Sequence, residues 1–285
     1  MLSHTMLDIF LSPWALGLLG LCVGSFLNVV VHRSPLVLHQ EWRSEAAQML
    51  GVAIAGPVMP LSLSHPRSRC PFCGHTLRWY ENIPVISFFM LGRKCSSCKT
   101  PISWRYPGIE LLTALLFGLI SWRFGPEPIA LLWCGFAALL IALSGIDWDT
   151  TLLPDNLTYP LLWSGLLASA AGWTIPLHLS VWGAAAGYLS LWSVYWLFKL
   201  LTGQEGMGYG DFKLLAALGA WLGVYMLLPV IMAASAIGAL VGIGMKMKRS
   251  LREGLYVPFG PFLAGAGITV MLMDSATIIH WLGWR

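Results

Sequence analysis

The sequence predicts an all-α polytopic membrane protein with about eight transmembrane helices and one small, polar loop domain. Apolar residues make up 57% of the 285 residues and charged residues only 11%, whereas about a quarter of a soluble domain is charged. Apolar runs of about 20 residues, the length that spans a bilayer, recur along the chain. One polar stretch interrupts them in the first half. Together these observations exclude a soluble globular class.

Hydropathy windows of about 19 residues predict eight apolar helices. They cover residues 7–31, 109–122, 128–146, 157–172, 177–201, 212–227, 228–245 and 256–273. The sixth and seventh are divided near Pro229, which interrupts one long apolar run. A single kinked helix in that place would invert the last span.

Lys and Arg lie almost entirely on one side of this eight-helix arrangement. The segment from Arg33 to Arg105 and the later loops on that side hold fifteen of the seventeen, leaving Arg123 and Arg285 opposite. Because cytoplasmic loops carry the excess of Lys and Arg, this side is predicted to be cytoplasmic. The net charge of +4 then requires no nucleic-acid partner. No Lys or Arg precedes the first span, so no cleavable signal peptide is expected.

The polar stretch contains two Cys-x-x-Cys pairs, in "RCPFCGHT" and "RKCSSCKT". Two such pairs separated by a ribbon-like interval are typical of one tetrahedral zinc ion bound by four thiolates. Structural disulfides are not expected in a reducing cytoplasm. The predicted ligands are Cys70, Cys73, Cys95 and Cys98. The loop is therefore predicted to be a cytoplasmic zinc-binding domain, whereas Cys22 and Cys134 are expected to be plain buried residues.

Acidic residues at the ends of apolar helices indicate a functional site, because a carboxylate near a bilayer is costly. Asp147 ends the third predicted helix in "SGIDWDTTLLPDNLT", and Asp211 begins the sixth in "GYGD", on the same side. Two facing carboxyls can share one proton, so that one activates water while the other protonates a carbonyl oxygen. This pair predicts aspartyl protease chemistry. The glycines before Asp211 would allow close backbone approach.

Simpler roles exist for each aspartate alone. Asp211 could cap the N-terminus of its helix. Asp155 follows Pro154 and suits a turn or a cap, and Asp149 is expected to face headgroups or solvent. The paired setting at one depth distinguishes Asp147 and Asp211 from these.

Seven segments resemble the type IV prepilin peptidases of bacteria. In chain order they are "GSFLNVVVHR" at 24–33, the first cysteine pair, "WYENIPVIS" at 79–87, the second cysteine pair, "PISWRYPGIE" at 101–110, "IDWDTTLLPDNLT" and "GYGD". The resemblance runs from the first helix to the eighth. A lone Gly-x-Gly-Asp would be far less specific than the set.

The resemblance implies a multi-pass enzyme of the bacterial inner membrane whose active site faces the cytoplasm. Such enzymes remove the basic leader of prepilins or type II secretion pseudopilins, after a glycine and usually before phenylalanine. Many also N-methylate the new N-terminal residue with S-adenosylmethionine. The two catalytic aspartates of the family fall on Asp147 and Asp211. Membrane lipid is the expected surrounding, and a homo-oligomer is left open.

Methyl transfer has weaker support in the sequence than cleavage. Family members with the cysteine loop often read Arg-Gly-x-Cys before the second pair, whereas this chain reads "LGRKC", with Gly92 one position early and Arg93 in the place of the glycine. The residues that bind S-adenosylmethionine are not predicted. Gly24, Asn28, Arg33 and Glu110 are weak candidates that suit helix packing or loop anchoring.

The predicted organisation is a first transmembrane helix at 1–32, the zinc-bearing loop domain at 33–107 and a seven-helix aspartyl peptidase core at 108–285. An intramembrane protease of the presenilin kind shares Gly-x-Gly-Asp but would cut within a helix, and it lacks the zinc loop. A proton or ion transporter would use paired carboxylates as a relay near mid-helix. A non-catalytic assembly factor would explain the cysteines but not the aspartate pair.

Overall fold

The computed structural model describes residues 4–52, 61–247, 257–273, 275–281 and 283. The regular structure in these residues is helical, with only isolated β-bridges besides. This confirms the predicted all-α class. The helices are α1 (His4–Phe10), α2 (Pro13–Leu50), α3 (Ile86–Met90), α4 (Arg105–Phe124), α5 (Pro128–Thr150), α6 (Asp155–Ala170), α7 (Leu177–Thr202), α8 (Tyr209–Leu222), α9 (Leu227–Met247), α10 (Gly260–Leu272) and α11 (Ser275–Trp281).

Long apolar helices confirm a polytopic membrane protein. Within the described residues, four helical segments are long and apolar enough to cross a bilayer, and α10 is apolar but shorter. The four are Pro13–Leu50, Arg105–Phe124, Pro128–Thr150 and Val224–Met247. Helices α6, α7 and α8 coincide with the other predicted spans.

The first predicted span ends in the wrong place. It was expected to end at residue 31, but α2 continues through Pro35 to Leu50 and is capped by Gly51 in the left-handed conformation, with φ of 63°. The extension contains Ala, Glu, Gln, Leu and Met, which favour helix without being apolar throughout. A hydropathy window therefore detects the change in polarity and not the end of the helix.

The break between the sixth and seventh spans is also displaced. Helix α8 ends at Leu222, and Gly223 follows with φ of 86°, a conformation that favours glycine. Pro229 lies in the first turn of α9, where its missing N–H has no helical acceptor to lose. The predicted start of the last span at residue 256 lies outside the described residues, as do Lys248, Arg249, Arg252 and Arg285.

The chain forms two compact units, residues 1–142 and 143–285, and the boundary between them falls inside α5. The cysteine pairs belong to the first unit, and Asp147 and Asp211 both belong to the second. The functional division into 1–32, 33–107 and 108–285 stays a prediction.

Helices α2 and α4 pack closely in the first unit. A methyl group on Gly20 would lie 2.7 Å from Ala114 Cα, and one on Gly24 would lie 2.7 Å from Glu110 Cα. Glycine at these positions lets the two helices approach at backbone distance, as in other membrane helix pairs. The Asn28 side chain adds a hydrogen bond to the Tyr106 carbonyl, with a distance of 3.1 Å.

Helix α8 is the buried centre of the second unit. Its residues from Asp211 to Trp221 are buried apart from Lys213. It packs on α7 where Gly183 meets Gly219 backbone to backbone. The Trp221 indole N–H donates to the Leu161 carbonyl of α6 at 2.8 Å. These contacts, near the C-terminal end of α8, hold in place the helix whose first turn carries Asp211.

The glycine contact between α7 and α8 predicts a large effect of a small substitution. In Gly183→Ala the new methyl group would overlap the Gly219 carbonyl, and backbone atoms cannot move aside without shifting α8. We expect about 1–3 kcal/mol or more of destabilisation, measured as a lower unfolding temperature of the detergent-solubilised protein. Gly265→Ala in α10 is the control, because its methyl group would meet no atom within 4 Å. Equal unfolding temperatures for the two variants would contradict this packing.

Candidate active site and metal centre

The two cysteine pairs form matching backbone turns. Cys70 N–H donates to His75 O at 2.9 Å and Cys95 N–H donates to Thr100 O at 2.9 Å. Each turn is closed by an isolated antiparallel bridge, Arg69 with Thr76 and Lys94 with Pro101. The two turns therefore repeat one local structure with an offset of 25 residues.

The repeated turns bring the four predicted cysteines together. Their sulfur atoms all lie within 4.8 Å of one another. Cys70 Sγ and Cys98 Sγ are 3.8 Å apart, and Cys73 Sγ and Cys95 Sγ are 3.9 Å apart. A tetrahedral zinc ion with sulfur ligands at about 2.3 Å requires sulfur separations of about 3.8 Å. The geometry fits zinc, and the separations are far longer than a disulfide bond of about 2.05 Å.

The surroundings of the thiols favour a bound cation. The Thr100 hydroxyl and backbone N–H lower the pKa of Cys98 to about 6, and the backbone N–H groups of Cys73 and Phe72 lower the pKa of Cys70. The backbone N–H of His75 also favours a Cys73 thiolate, but burial and the adjacent sulfur atoms raise that pKa to about 11. Four thiolates at these separations repel one another, so a dication is needed to hold all four ionised.

Asp147 lies in the last turn of α5 and is 4% exposed. Its Oδ2 accepts a hydrogen bond of 2.9 Å from the backbone N–H of Gly260, the first residue of α10. The N-terminus of a helix stabilises negative charge. The ionised form of Asp147 therefore has a built-in partner inside the second unit.

Asp211 lies in the first turn of α8 and is 8% exposed. The residue that caps this helix is Gly208, and it makes no side-chain capping bond. The simpler role of Asp211 as an N-cap is therefore wrong. The Asp147 and Asp211 carboxyls are near enough to interact electrostatically. That a single water can bridge them stays a prediction.

Leu153 closes the site between the two aspartate-bearing segments. A methyl group on Gly210 would lie 2.7 Å from Leu153 Cβ, and a methyl group on Gly260 would lie 3.3 Å from Leu153 Cδ2 and 2.6 Å from Asp147 Oδ2. At positions 210 and 260, therefore, only glycine fits without displacing Leu153 or Asp147. The glycine of "GYGD" next to Asp211 serves this packing.

Asp155 links the segment after α5 to α8. Its carboxylate accepts two hydrogen bonds from Lys213 Nζ, at 2.6 and 2.9 Å. Asp155 begins α6, but the capping residue is Pro154. The predicted turn or cap role of Asp155 therefore did not include its main contact, which is with Lys213. Asp149 is exposed, as expected.

Family models match both parts of the chain. The bacterial peptidase A24 N-terminal domain matches residues 18–124, and the type IV leader peptidase family matches residues 134–243. A curated prepilin leader peptidase/N-methyltransferase of Pseudomonas aeruginosa is 51% identical over 276 residues, covering 94% of this chain and 93% of that protein.

The chain belongs to the type IV leader peptidase family.

Two further relatives support the assignment to the leader peptidases. Proteins of the same name from Stutzerimonas stutzeri and Aeromonas hydrophila are 48% and 49% identical, and they cover 93% and 91% of this chain and 91% and 90% of their own lengths. No solved structure gives a significant match.

The departure from the leader peptidase pattern at "LGRKC" has a local compensation. Gly92 and Arg93 both have positive φ, 57° and 62°. A side chain in this left-handed region costs about 1–2 kcal/mol. The Arg93 guanidinium lies 4.7 Å from the centre of the Trp104 ring, and such a contact contributes about 0.5–2 kcal/mol. The turn thus keeps the backbone path that a glycine would give.

The two cysteines outside the metal loop differ in exposure. Cys134 is buried as predicted, but Cys22 is exposed. Gly260 and Lys213 were not predicted as site residues. Gly260 precedes Pro261, and a proline in the first turn is a helix-start signal that could have marked the position. No local signal pairs Lys213 with Asp155.

Removal of one cysteine should unfold the metal loop. Zinc analysis of purified protein should give one ion per chain, and Cys95→Ser should lose it together with protease resistance of residues 66–104. Cys22→Ser is the matched control and should keep its zinc. Because protons compete with zinc for the thiolates, acidification should release the metal. Reduced wild-type protein without zinc at neutral pH would contradict the site.

Gly260→Ala tests the support of Asp147. The added methyl group would lie 2.6 Å from Asp147 Oδ2, so the carboxylate must leave its hydrogen bond with the Gly260 N–H. We expect leader cleavage to fall about tenfold or more, the usual order for a lost hydrogen bond to a charged group. Gly265→Ala on the same helix should cleave at the parental rate. Equal rates for both variants would show that this contact is dispensable.

Proposed function

We propose that the chain removes the leader peptide from type IV prepilins or type II secretion pseudopilins, with Asp147 and Asp211 as the catalytic pair, and then N-methylates the new N-terminus. The supporting observation is the burial of two interacting carboxyls at the ends of α5 and α8. The relatives named prepilin leader peptidase/N-methyltransferase supply the substrate class. The enzyme is an inner-membrane protein, and the distribution of Lys and Arg supports a cytoplasmic active site.

The two aspartates divide the work of hydrolysis in this proposal. Asp147, which accepts from the Gly260 N–H, holds the negative charge and takes a proton from water. The water oxygen forms a bond to the scissile carbonyl carbon while protonated Asp211 donates to the carbonyl oxygen. When the carbon–nitrogen bond breaks, the amine of the mature pilin takes a proton from Asp147. One hydroxyl of the tetrahedral intermediate returns its proton to Asp211, which leaves the leader as a carboxylic acid and restores the pair. Two nearby carboxyls in a buried site favour this shared-proton state, because both cannot ionise together.

Methyl transfer is the second proposed step and needs no aspartate pair. When bound, S-adenosylmethionine would supply a methyl group to the lone pair of the amine, with the carbon–sulfur electrons returning to sulfur and a proton of the amine passing to solvent. The chain must hold the deprotonated amine and the donor together. Cys70, Cys73, Cys95 and Cys98 would hold zinc, which would fold the loop. A site closed by four thiolates would leave no position for substrate.

Transport is a weaker candidate for the aspartate pair. A carboxylate relay is expected near the middle of membrane helices. Asp147 and Asp211 lie in terminal turns, and Asp147 is bound to the start of another helix. An intramembrane protease of another substrate class keeps the aspartates but gives the cysteine loop no role.

Asparagine substitutions test the catalytic pair. Asp147→Asn and Asp211→Asn keep shape but remove the titratable group, so leader cleavage should fall about 10³-fold or more. Mass spectrometry of a prepilin incubated with purified enzyme would report both leader loss and the added methyl group. Asp149→Asn, an exposed neighbour with the same chemical change, should cleave at the parental rate. Near-parental cleavage by both Asp147→Asn and Asp211→Asn would contradict the aspartyl mechanism.

The same variants separate the two activities. Given a pilin whose leader has already been removed, Asp211→Asn should still methylate the N-terminus, because an amine and a methyl donor suffice. Loss of both activities in a variant with the parental unfolding temperature would instead place Asp211 in a shared site.

A further inference from the structure

A cavity of about 560 Å³ lies in the first unit between α2, the cysteine turns and the start of α4. This is the size of pockets that hold small ligands, about 300–1,000 Å³. Its walls include Asn28 and Arg33 of α2, Phe88 of α3, and Tyr106 and Glu110 of α4. Three of the weak candidates in the sequence, Asn28, Arg33 and Glu110, thus line one space.

Arg33 is a buried cation in this wall, 9% exposed. Its Nη1 donates to the carbonyl oxygens of Ser62 and Leu63, at 3.0 and 3.2 Å. Among the residues that the structure describes, no carboxylate forms an ion pair with it. Within the described ranges the Nε and Nη2 hydrogens have no acceptor. A buried guanidinium is most stable with an anion beside it.

Glu110 is a buried acid in the same wall, 7% exposed. Its Oε2 accepts a hydrogen bond of 2.7 Å from the Val85 N–H. Across the described part of the chain, no Lys, Arg or His lies within ion-pair distance of it, Arg33 included. Glu81, the other acid of the cavity, differs because it accepts from the Arg78 N–H and His75.

The cavity thus combines a buried cation and a buried anion that do not pair with each other. A ligand that carries both a carboxylate and a positive group matches this arrangement, because each charge then meets its opposite in a desolvated site. Asn28 offers a further acceptor: both amide hydrogens are donated, to the Gly24 and Tyr106 carbonyls, which leaves Oδ1. Phe88 and Tyr106 provide aromatic surface for a planar ring.

We propose that this cavity binds the methyl donor S-adenosylmethionine, with Arg33 on the carboxylate of the ligand and Glu110 on its ammonium or sulfonium group. The inference rests on the proposed N-methylation, which supplies the reason for a zwitterionic ligand with a purine ring. The buried cysteine of each pair, Cys70 and Cys95, also lines the cavity. Zinc therefore builds a wall of the binding site.

Direct binding of S-adenosylhomocysteine, the unreactive product, tests the site in the full-length, zinc-loaded enzyme. Calorimetry in detergent should give at least a tenfold weaker dissociation constant for Glu110→Gln, which can still accept from the Val85 N–H, and for Arg33→Gln. Glu45→Gln and Arg43→Gln, exposed on α2, carry the same changes and should bind as the parent does. Zinc content and unfolding temperature confirm that each variant is folded.

Photolabelling covers the case in which Arg33→Gln fails to fold, because Arg33 also holds the Ser62 and Leu63 carbonyls. An azido derivative of S-adenosylmethionine, irradiated with the parent enzyme, should label peptides within residues 25–33 or 69–110. Label found only within residues 143–285 would overturn the assignment. So would parental affinity in folded Glu110→Gln and Arg33→Gln.

The outcomes distinguish this inference from the function on which it rests. If the parent methylates pilin and binds the product but the label lies elsewhere, only the location is wrong. If the parent neither binds nor methylates, both fail. A zwitterionic lipid headgroup offers the same charges. Phosphatidylethanolamine that copurifies with the parent, is lost in Glu110→Gln and is not displaced by S-adenosylhomocysteine would assign the cavity to lipid instead.

Discussion

The second unit buries two carboxyl groups, and its packing must compensate the free-energy cost of removing them from water. A buried carboxylate is costly unless hydrogen bonds or charges compensate it. Asp147 receives that compensation from the N-terminus of α10, and Asp211 is held at the start of the most buried helix of the unit. The glycines at 183, 210, 219 and 260 remove the side chains that would otherwise push these helices apart. Helix packing therefore sets the positions of the two carboxyls proposed to be catalytic, since a methyl group on one of these glycines would shift a helix that carries a carboxyl or the carboxyl itself.

The first unit satisfies a different constraint. Residues 66–104 contain little regular structure and few buried apolar side chains, so the loop cannot rely on a core of its own. Two copies of one turn bring four sulfur atoms to tetrahedral separations instead. The same turns form part of a cavity with unmatched buried charges. In the proposed function, zinc that only folds the loop is therefore needed for methyl transfer without taking part in its chemistry.

Secondary structure was predictable where composition changes sharply. Each of the eight predicted apolar runs overlaps a helix in the described residues, because a membrane helix must be apolar along its length. Their ends were less predictable. Helix α2 passes through the polarity change to Leu50, and α8 ends at Leu222 and not at the predicted residue 227. Backbone conformation and capping end a helix, whereas hydropathy does not.

By itself the sequence determined the all-helical membrane class and the cluster of four cysteines, and it singled out the two aspartates that are proposed as the catalytic pair. Each depends on residue type at short spacing or on side chains that are costly in their setting. The tertiary structure decided the rest. The Gly260 N–H reaches Asp147 across 113 residues, and Lys213 reaches Asp155 across 58. Arg33 and Glu110 line one cavity only because Gly20 and Gly24 let α2 and α4 approach. Such partners are distant in the chain, and only folding brings them together.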